Sequence, residues 1–365
     1  MRQYQEVLKK ILIEGDVTFE PRTQMHTLGI SSAVMDYDLR EGFPLSTTKR
    51  VPPRLPFEEL FWKLRGERNV KGLFDRDIHI WDGNAYDMYL RRNGLTKEFP
   101  KHSQQWNEGF AEYQRRLKDE EGFAEREGDL GPVYGFQWRH WRSVDDFGNV
   151  SETDQLTDLL KGIPENPGSR YHILNAWNSG DRPRMAIGAC PYWHQFTIAG
   201  DNIDLTMVQR SNDYFLGNPF NDAQDSCLLH LVAKEFGLKP RFFHHHTINT
   251  HIYLGVSPRA DFWKDGSKVS EFRRKLSGIQ ERGNFLELRD WYLNVAHVES
   301  SGNERKDHIP FVLEQLSKEP RELPRIVVKD DAPPLLDAIK RPALEIFEVK
   351  NYNPHKWDAK AVMAA

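Results

Sequence analysis

Cysteine is nearly missing from this chain: two thiols, Cys190 and Cys227, in 365 residues. A disulfide framework is excluded by that scarcity, and a reducing compartment is the expectation. Long apolar runs are missing too. The first seventeen residues carry Glu6, Lys9, Lys10 and Glu14, which is neither a secretion signal nor a membrane span, and no later stretch is long and uncharged enough to cross a bilayer. We read the protein as cytoplasmic. Excess positive charge is absent: the net charge is −4, so nucleic acid is not an expected partner and any anion must be held locally. Repeats and low-complexity segments are also lacking. What remains is an ordinary globular composition, 39% hydrophobic and 28% charged, long enough for one large domain.

Tyr4, Val7, Leu8, Ile11 and Leu12 recur at helical spacing, and Gly15 ends that helix. Residues 27–39 read as a strand. Residues 56–65 read as a buried helix with Leu55, Leu60, Phe61 and Leu64 on one face and Pro56 in its first turn. Strands are expected at 171–177, 195–199, 203–208 and 247–254, and a helix at 222–236 stopped by Gly237. A further helix at 308–316 and a strand at 325–329 follow. Two charged, weakly periodic stretches, about 91–129 and 257–307, read as surface insertions. Strands and helices mix without regular βαβ alternation. The expected class is α+β, a single domain of helices packed on a mixed sheet.

Chemistry concentrates around Cys190. A thiolate is a strong nucleophile near neutral pH but needs positive charge beside it. Arg210, after the strand at 203–208, can supply that charge; the alternative is a buried, inert cysteine. Gln209-Arg210-Ser211 suits a phosphate dianion, or is a solvated turn. Asn221, after Pro219-Phe220, either caps a helix or offers a donor and an acceptor to a pyrimidine edge, where its amide matches uracil. His251 and Tyr253 share a strand face and either bind a ribose hydroxyl or pack. Glu59, inside an apolar helix, is either solvated on the far face or buried as a proton shuttle. Trp81 is core, or stacks on a flat ligand. His244-His245-His246 with His251 is no metal set, because consecutive strand residues cannot all face one ion.

In order along the chain, these pieces resemble the thymidylate synthase family. The matching segments are Gly42-Phe43-Pro44-Leu45, Thr47-Thr48-Lys49-Arg50, Ile80-Trp81-Asp82, residues 128–135 with Gln137-Trp138-Arg139, and Ala176-Trp177-Asn178. Residues 209–213, Leu216-Gly217, 219–221, His251-Ile252-Tyr253 and 351–355 match as well. The resemblance implies reductive methylation of dUMP to dTMP, with 5,10-methylenetetrahydrofolate as co-substrate and no metal. It implies that Cys190 adds to C6 of dUMP and that Glu59 and Tyr134 serve proton transfers. Asn221 would read the base, and Gln209 would line the nucleotide site. Arg22, Arg210 and Ser211 would hold the phosphate, joined by Arg170 of a second subunit in a homodimer. His251 and Tyr253 would bind the 3′-hydroxyl. Trp81, Asn84, Asp213 and the tail ending at Ala365 would cover the folate.

Several positions depart from the family pattern. Pro191 follows the nucleophile where the family has histidine. Tyr171 replaces a second arginine, Asn249 an aspartate, and Gly188-Ala189 a proline pair. Pro191 and Tyr171 make dUMP hydroxymethylation the alternative outcome, with water rather than hydride meeting the methylene.

Overall fold

A computed structural model describes residues 1–101, 103–257, 259–296, 304–357 and 361. The chain opens with α1 (Arg2–Glu14), whose Tyr4, Val7, Leu8, Ile11 and Leu12 are buried along one stripe. Strands β1 (Asp16–Glu20) and β2 (Met25–Asp38) follow, then α2 (Arg54–Leu64), α3 (Lys71–Phe74) and α4 (Asp82–Arg92). Next come α5 (Gln104–Asp119), α6 (Phe123–Glu127), α7 (Gly135–Arg139), a hairpin β3 (Trp141–Val144) and β4 (Val150–Thr153), and α8 (Gln155–Glu165). The central part runs β5 (Ile173–Asn175), β6 (Pro191–Ala199), β7 (Asn202–Gln209), β8 (Asn212–Asp213), α9 (Asn218–Glu235) and β9 (Lys239–Gly255). It closes with α10 (Gly266–Ser277), α11 (Asn284–Val295), α12 (Ile309–Ser317), β10 (Arg325–Val328), α13 (Leu335–Ala338), α14 (Ala343–Ile346) and β11 (Phe347–Lys350).

The main sheet has the order β1-β2-β9-β7-β6-β5, with β8 added alongside β9. All its pairs are antiparallel except β7–β9 and β8–β9, so the sheet is mixed and the class is α+β as expected. Register places the later chemistry. Pro191 pairs with Gln209 and Asp213 with His251, while His245 lies between Met35 and Met207. Gly29 is opposite His251, and a Cβ there would come within 3.0 Å of the His251 Cβ.

Several expectations are corrected. Helix α2 is buried on nearly all sides, charged residues Glu58, Glu59 and Lys63 included, rather than on one face. Strand β9 begins at Lys239, not at 247, because the polar residues of its first half find partners on the neighbouring strands. The strand expected at 171–177 shrinks to β5. Residues 91–129 are not plain decoration. Tyr113 and Leu117, four apart on α5, turn inward with Phe123, and Tyr113 packs 5.3 Å from Tyr86 of α4. The polar stretch at 257–307 likewise hides an aromatic knot. Phe262, Trp263, Phe272 and Tyr292 interlock at ring distances of 4.9 to 6.3 Å. Arg273 of α10 donates to the Leu12 and Gly15 carbonyls at the end of α1, where the helix dipole favours a cation.

Candidate active site

One cleft brings together Arg22, Glu59, Trp81, Asn84, Tyr134, Cys190, Gln209, Ser211, Asp213, Asn221, His251 and Tyr253. They come from the turn between β1 and β2, α2, the start of α4, the entry to α7, the loop before β6, the ends of β7 and β9, β8, and the first turn of α9. The strand register explains the convergence. Because Pro191 pairs antiparallel with Gln209, the residue before Pro191 meets the residue after Gln209: the Arg210 backbone N–H donates to the Cys190 carbonyl at 2.9 Å.

The nucleophile loop is clamped from that side. Arg210 donates through Nη2 to the Gly188 carbonyl at 2.6 Å and through Nε to the Ala189 carbonyl at 3.0 Å. The same Nη2 lies 3.6 Å from Cys190 Sγ. Its charge beside the half-buried sulfur is the company a thiolate needs. From the other side the Cys190 N–H donates to Tyr134 Oη at 3.1 Å. Burial, followed by the Cys190 sulfur, pushes the Tyr134 phenol well above its usual range, so it remains protonated. Tyr134 itself has φ +37°, a strained conformation of the kind that gathers at working sites. Gly135 follows because a Cβ there would come 1.8 Å from the Lys63 carbonyl.

Glu59 is buried, not solvated. Its Oε1 accepts from Trp81 Nε1 at 2.9 Å, and its Oε2 accepts from Gln224 Nε2 at 2.9 Å. Lys63 Nζ stands 3.3 Å from Oε1, donates to Gln224 Oε1 at 2.6 Å, and lies 4.5 Å above the Tyr134 ring. Lys63 and Gln224 were missed from sequence. The signal was the Glu59–Lys63 spacing of one helical turn, which reads equally as a solvent-exposed pair. Trp81 stacks against Trp62 with centroids 6.2 Å apart and meets Tyr134 edge-on at 5.5 Å, so it is both core and cleft wall.

At the far end, His251 Nδ1 hydrogen-bonds the Asn249 carbonyl at 2.8 Å, and its ring meets Tyr253 edge-on at 5.3 Å. Burial pushes the Tyr253 hydroxyl upward, leaving it a neutral donor or acceptor. Asp213 Oδ1 accepts from the Leu216 N–H at 3.1 Å, while its buried Oδ2 has no partner among the described residues. Past Arg22 and Asn84 the cleft meets a second hollow lined by Asp87, Arg91, Phe99, Lys101 and Trp106, so the 91–129 stretch reaches the site.

Two of the expected residues do not line the cleft, and a third cannot be placed. Arg210 borders it through the sulfur. Arg170 is exposed just before β5, on the chain's own outer surface. Ala365 lies outside the described residues. The three consecutive histidines alternate as a strand requires, His245 inward and His246 outward. Among the described residues no group of three or more His, Cys, Asp or Glu is arranged to hold a metal, and no helix is long and apolar enough to cross a membrane.

A family model described as thymidylate synthase matches residues 2–365. The chain belongs to the thymidylate synthase family. The thymidylate synthase of Mesoplasma florum is 40% identical over 255 residues, covering 70% of this chain and 82% of that protein. That of Listeria monocytogenes serotype 4a is 36% identical over 265 residues, covering 69% and 82%. Membership makes the activity methyl transfer to dUMP with a methylenetetrahydrofolate co-substrate, and it disfavours hydroxymethylation.

Proposed function

We propose that this cleft methylates dUMP reductively to dTMP, with Cys190 as its nucleophile. The observation that carries the reading is Cys190 in the same cleft as Asn221, its half-buried sulfur 3.6 Å from the Arg210 guanidinium and its backbone N–H donating to the Tyr134 hydroxyl. The thiolate adds to C6 of the pyrimidine, and electron density moves to C5, which becomes the attacking carbon. Asn221 reads the uracil edge. Gln209, Ser211, Arg22 and Arg210 surround the sugar phosphate, and His251 and Tyr253 take the 3′-hydroxyl. Glu59, fixed by Trp81, Gln224 and Lys63, orients water for proton movement at the base. Tyr134 keeps its proton and offers its hydroxyl near C5.

The folate supplies the one-carbon unit and the hydride when bound. The wall formed by Trp81 and Asn84, with the buried Asp213 Oδ2 that has no partner among the described residues, fits a flat, hydrogen-bonding ring of that kind. The tail ending at Ala365 closes over the pair and excludes water. We further propose one catalytic domain over residues 1–365 with insertions at about 91–129 and 257–307, acting in the cytoplasm as a homodimer. In that dimer Arg170, which is exposed and does not line the chain's own cleft, reaches the partner's phosphate site.

Purified protein with dUMP and methylenetetrahydrofolate tests the reading. Dihydrofolate absorbance rises in step with dTMP. Accumulation of tetrahydrofolate with 5-hydroxymethyl-dUMP would overturn it.

A further inference from the structure

We propose that His245 and Asp222 are positioning residues that fix the direction of the Asn221 amide and so set uracil over cytosine. The proposal rests on Asn221 being the base reader. It explains a buried polar relay that the reaction itself does not use.

The relay can be followed atom by atom. His245 is fully buried on β9, with Nδ1 2.8 Å from Asp222 Oδ1 and Nε2 2.9 Å from Gln209 Oε1. Gln209 Nε2 lies 2.9 Å from the Ser211 carbonyl and 3.2 Å from Asn221 Oδ1. A carbonyl only accepts, so the NH2 end of Gln209 must face Ser211. Its oxygen therefore faces His245 Nε2, which must carry a proton. The second N–H of Gln209 then needs an acceptor, and that is Asn221 Oδ1 rather than its NH2.

Asp222 holds the other end. Its Oδ2 accepts from Tyr37 Oη and Asn218 Nδ2, both at 2.7 Å, so it is anchored by two donors. Two protons shared between the imidazole and the carboxyl satisfy every contact, whichever atom carries the second. Removing the Nε2 proton would set a nitrogen lone pair against the Gln209 oxygen. The Gln209 amide would then turn over, and the Asn221 amide with it.

The consequence reaches the base. With Oδ1 engaged by Gln209, Asn221 presents Nδ2 as a donor and the free side of Oδ1 as an acceptor. Uracil offers an accepting O4 and a donating N3–H, which match. Cytosine offers a donating amino group and an accepting N3, so both contacts oppose. The reversed amide would match cytosine. Pro191 has no side-chain hydrogen-bonding group to contribute from the nucleophile side, so discrimination is left to the relay beneath the sheet.

The test is the ratio of dUMP to dCMP dissociation constants, measured by calorimetry without folate. His245→Leu removes the donor and lowers the preference for dUMP roughly tenfold or more, the worth of one lost directional hydrogen bond. The double variant His245→Gln with Asp222→Asn supplies amides that can donate to Gln209 and satisfy each other, and restores the ratio. A simple packing role would not show that rescue. An unchanged ratio in folded His245→Leu overturns the proposal. Should that variant not fold, nitrogen-15 spectra of histidine-labelled wild type decide: a protonated His245 Nε2 supports the relay, and a bare one overturns it. Failure of the synthase reading would appear separately, as absence of dTMP from wild type.

Discussion

The floor of the cleft and the aromatic knot at residues 262–292 are both buried, yet they are built from opposite materials. Beneath the cleft, α9 turns Asp222, Gln224 and Asp225 inward, each fully or almost fully buried and each paired, to His245, Glu59 and His194 respectively. In the knot the buried side chains are mostly rings packed by shape, tied at one end by a short chain in which Trp263 Nε1 donates to Tyr292 Oη at 3.2 Å, Tyr292 Oη donates to Asp307 at 2.9 Å and Arg259 pairs with Asp307 at 2.6 Å. Buried hydrogen bonds contribute little net stability but impose direction, whereas ring packing contributes stability and imposes little direction. The first region therefore governs what is bound and turned over, and the second governs whether the chain stays folded.

Substitutions can break that division. The largest effect belongs to Cys190→Ser. Turnover should fall by about 10⁴-fold or more, while dUMP binding persists and stability moves by less than about 0.5 kcal/mol. Loss of dUMP affinity as large as the loss in rate would contradict a purely chemical role. On the other side, Phe272→Ala should cost about 3–5 kcal/mol of unfolding free energy. Turnover per folded molecule, read by active-site titration, should stay unchanged; a drop in it would show that the knot shapes the cleft.

Asn221→Asp should shift preference toward dCMP by about 10- to 100-fold in relative kcat/KM, with only a small change in melting temperature. An unchanged ratio would remove Asn221 as the reader.

Lys49 gives the smallest effect and the sharpest test of the contrast, because it places a charge in aromatic surroundings. Its ammonium is buried, donates to the Phe215 carbonyl and lies 4.2 Å from the Phe215 ring and 5.1 Å from the Trp357 ring, with no carboxylate in contact among the described residues. Desolvation pulls it down to about 7. The unfolded chain holds that proton up to its ordinary value of 10.5, so between pH 7 and 10.5 it binds more protons than the folded chain. Stability from this group therefore rises with pH across that window. Lys49→Met should stabilise by about 1 kcal/mol below pH 7, with the gain fading as pH climbs toward 10. A gain independent of pH would mean that the charge is not what costs.

The sequence was most legible where one periodicity dominated. Helix α1 shows its apolar stripe plainly, and Gly237, at φ +65°, ends α9 as expected. The cleft residues were legible because Cys190, Arg210 and Asn221 have chemistry that few other roles demand together. The supporting layer was not. Asp222 and Gln224 interrupt the apolar pattern of α9, and their partners His245 and Glu59 lie 23 and 165 residues away. Local spacing holds no trace of such pairings. The one-turn spacing of Lys63 from Glu59 did not separate a buried pair from a solvent-exposed one. The two supposed insertions hid their rings among charges, since Tyr113, Phe272 and Tyr292 are too sparse to set a period.

Everything in the account turns on Cys190 becoming covalently attached to the pyrimidine. Mass spectrometry of the protein incubated with 5-fluoro-dUMP and methylenetetrahydrofolate measures that directly. The account predicts a stable adduct that maps to the peptide containing Cys190 and vanishes in Cys190→Ser. A folded, dUMP-binding protein that gains no mass, or gains it on another residue, would contradict it.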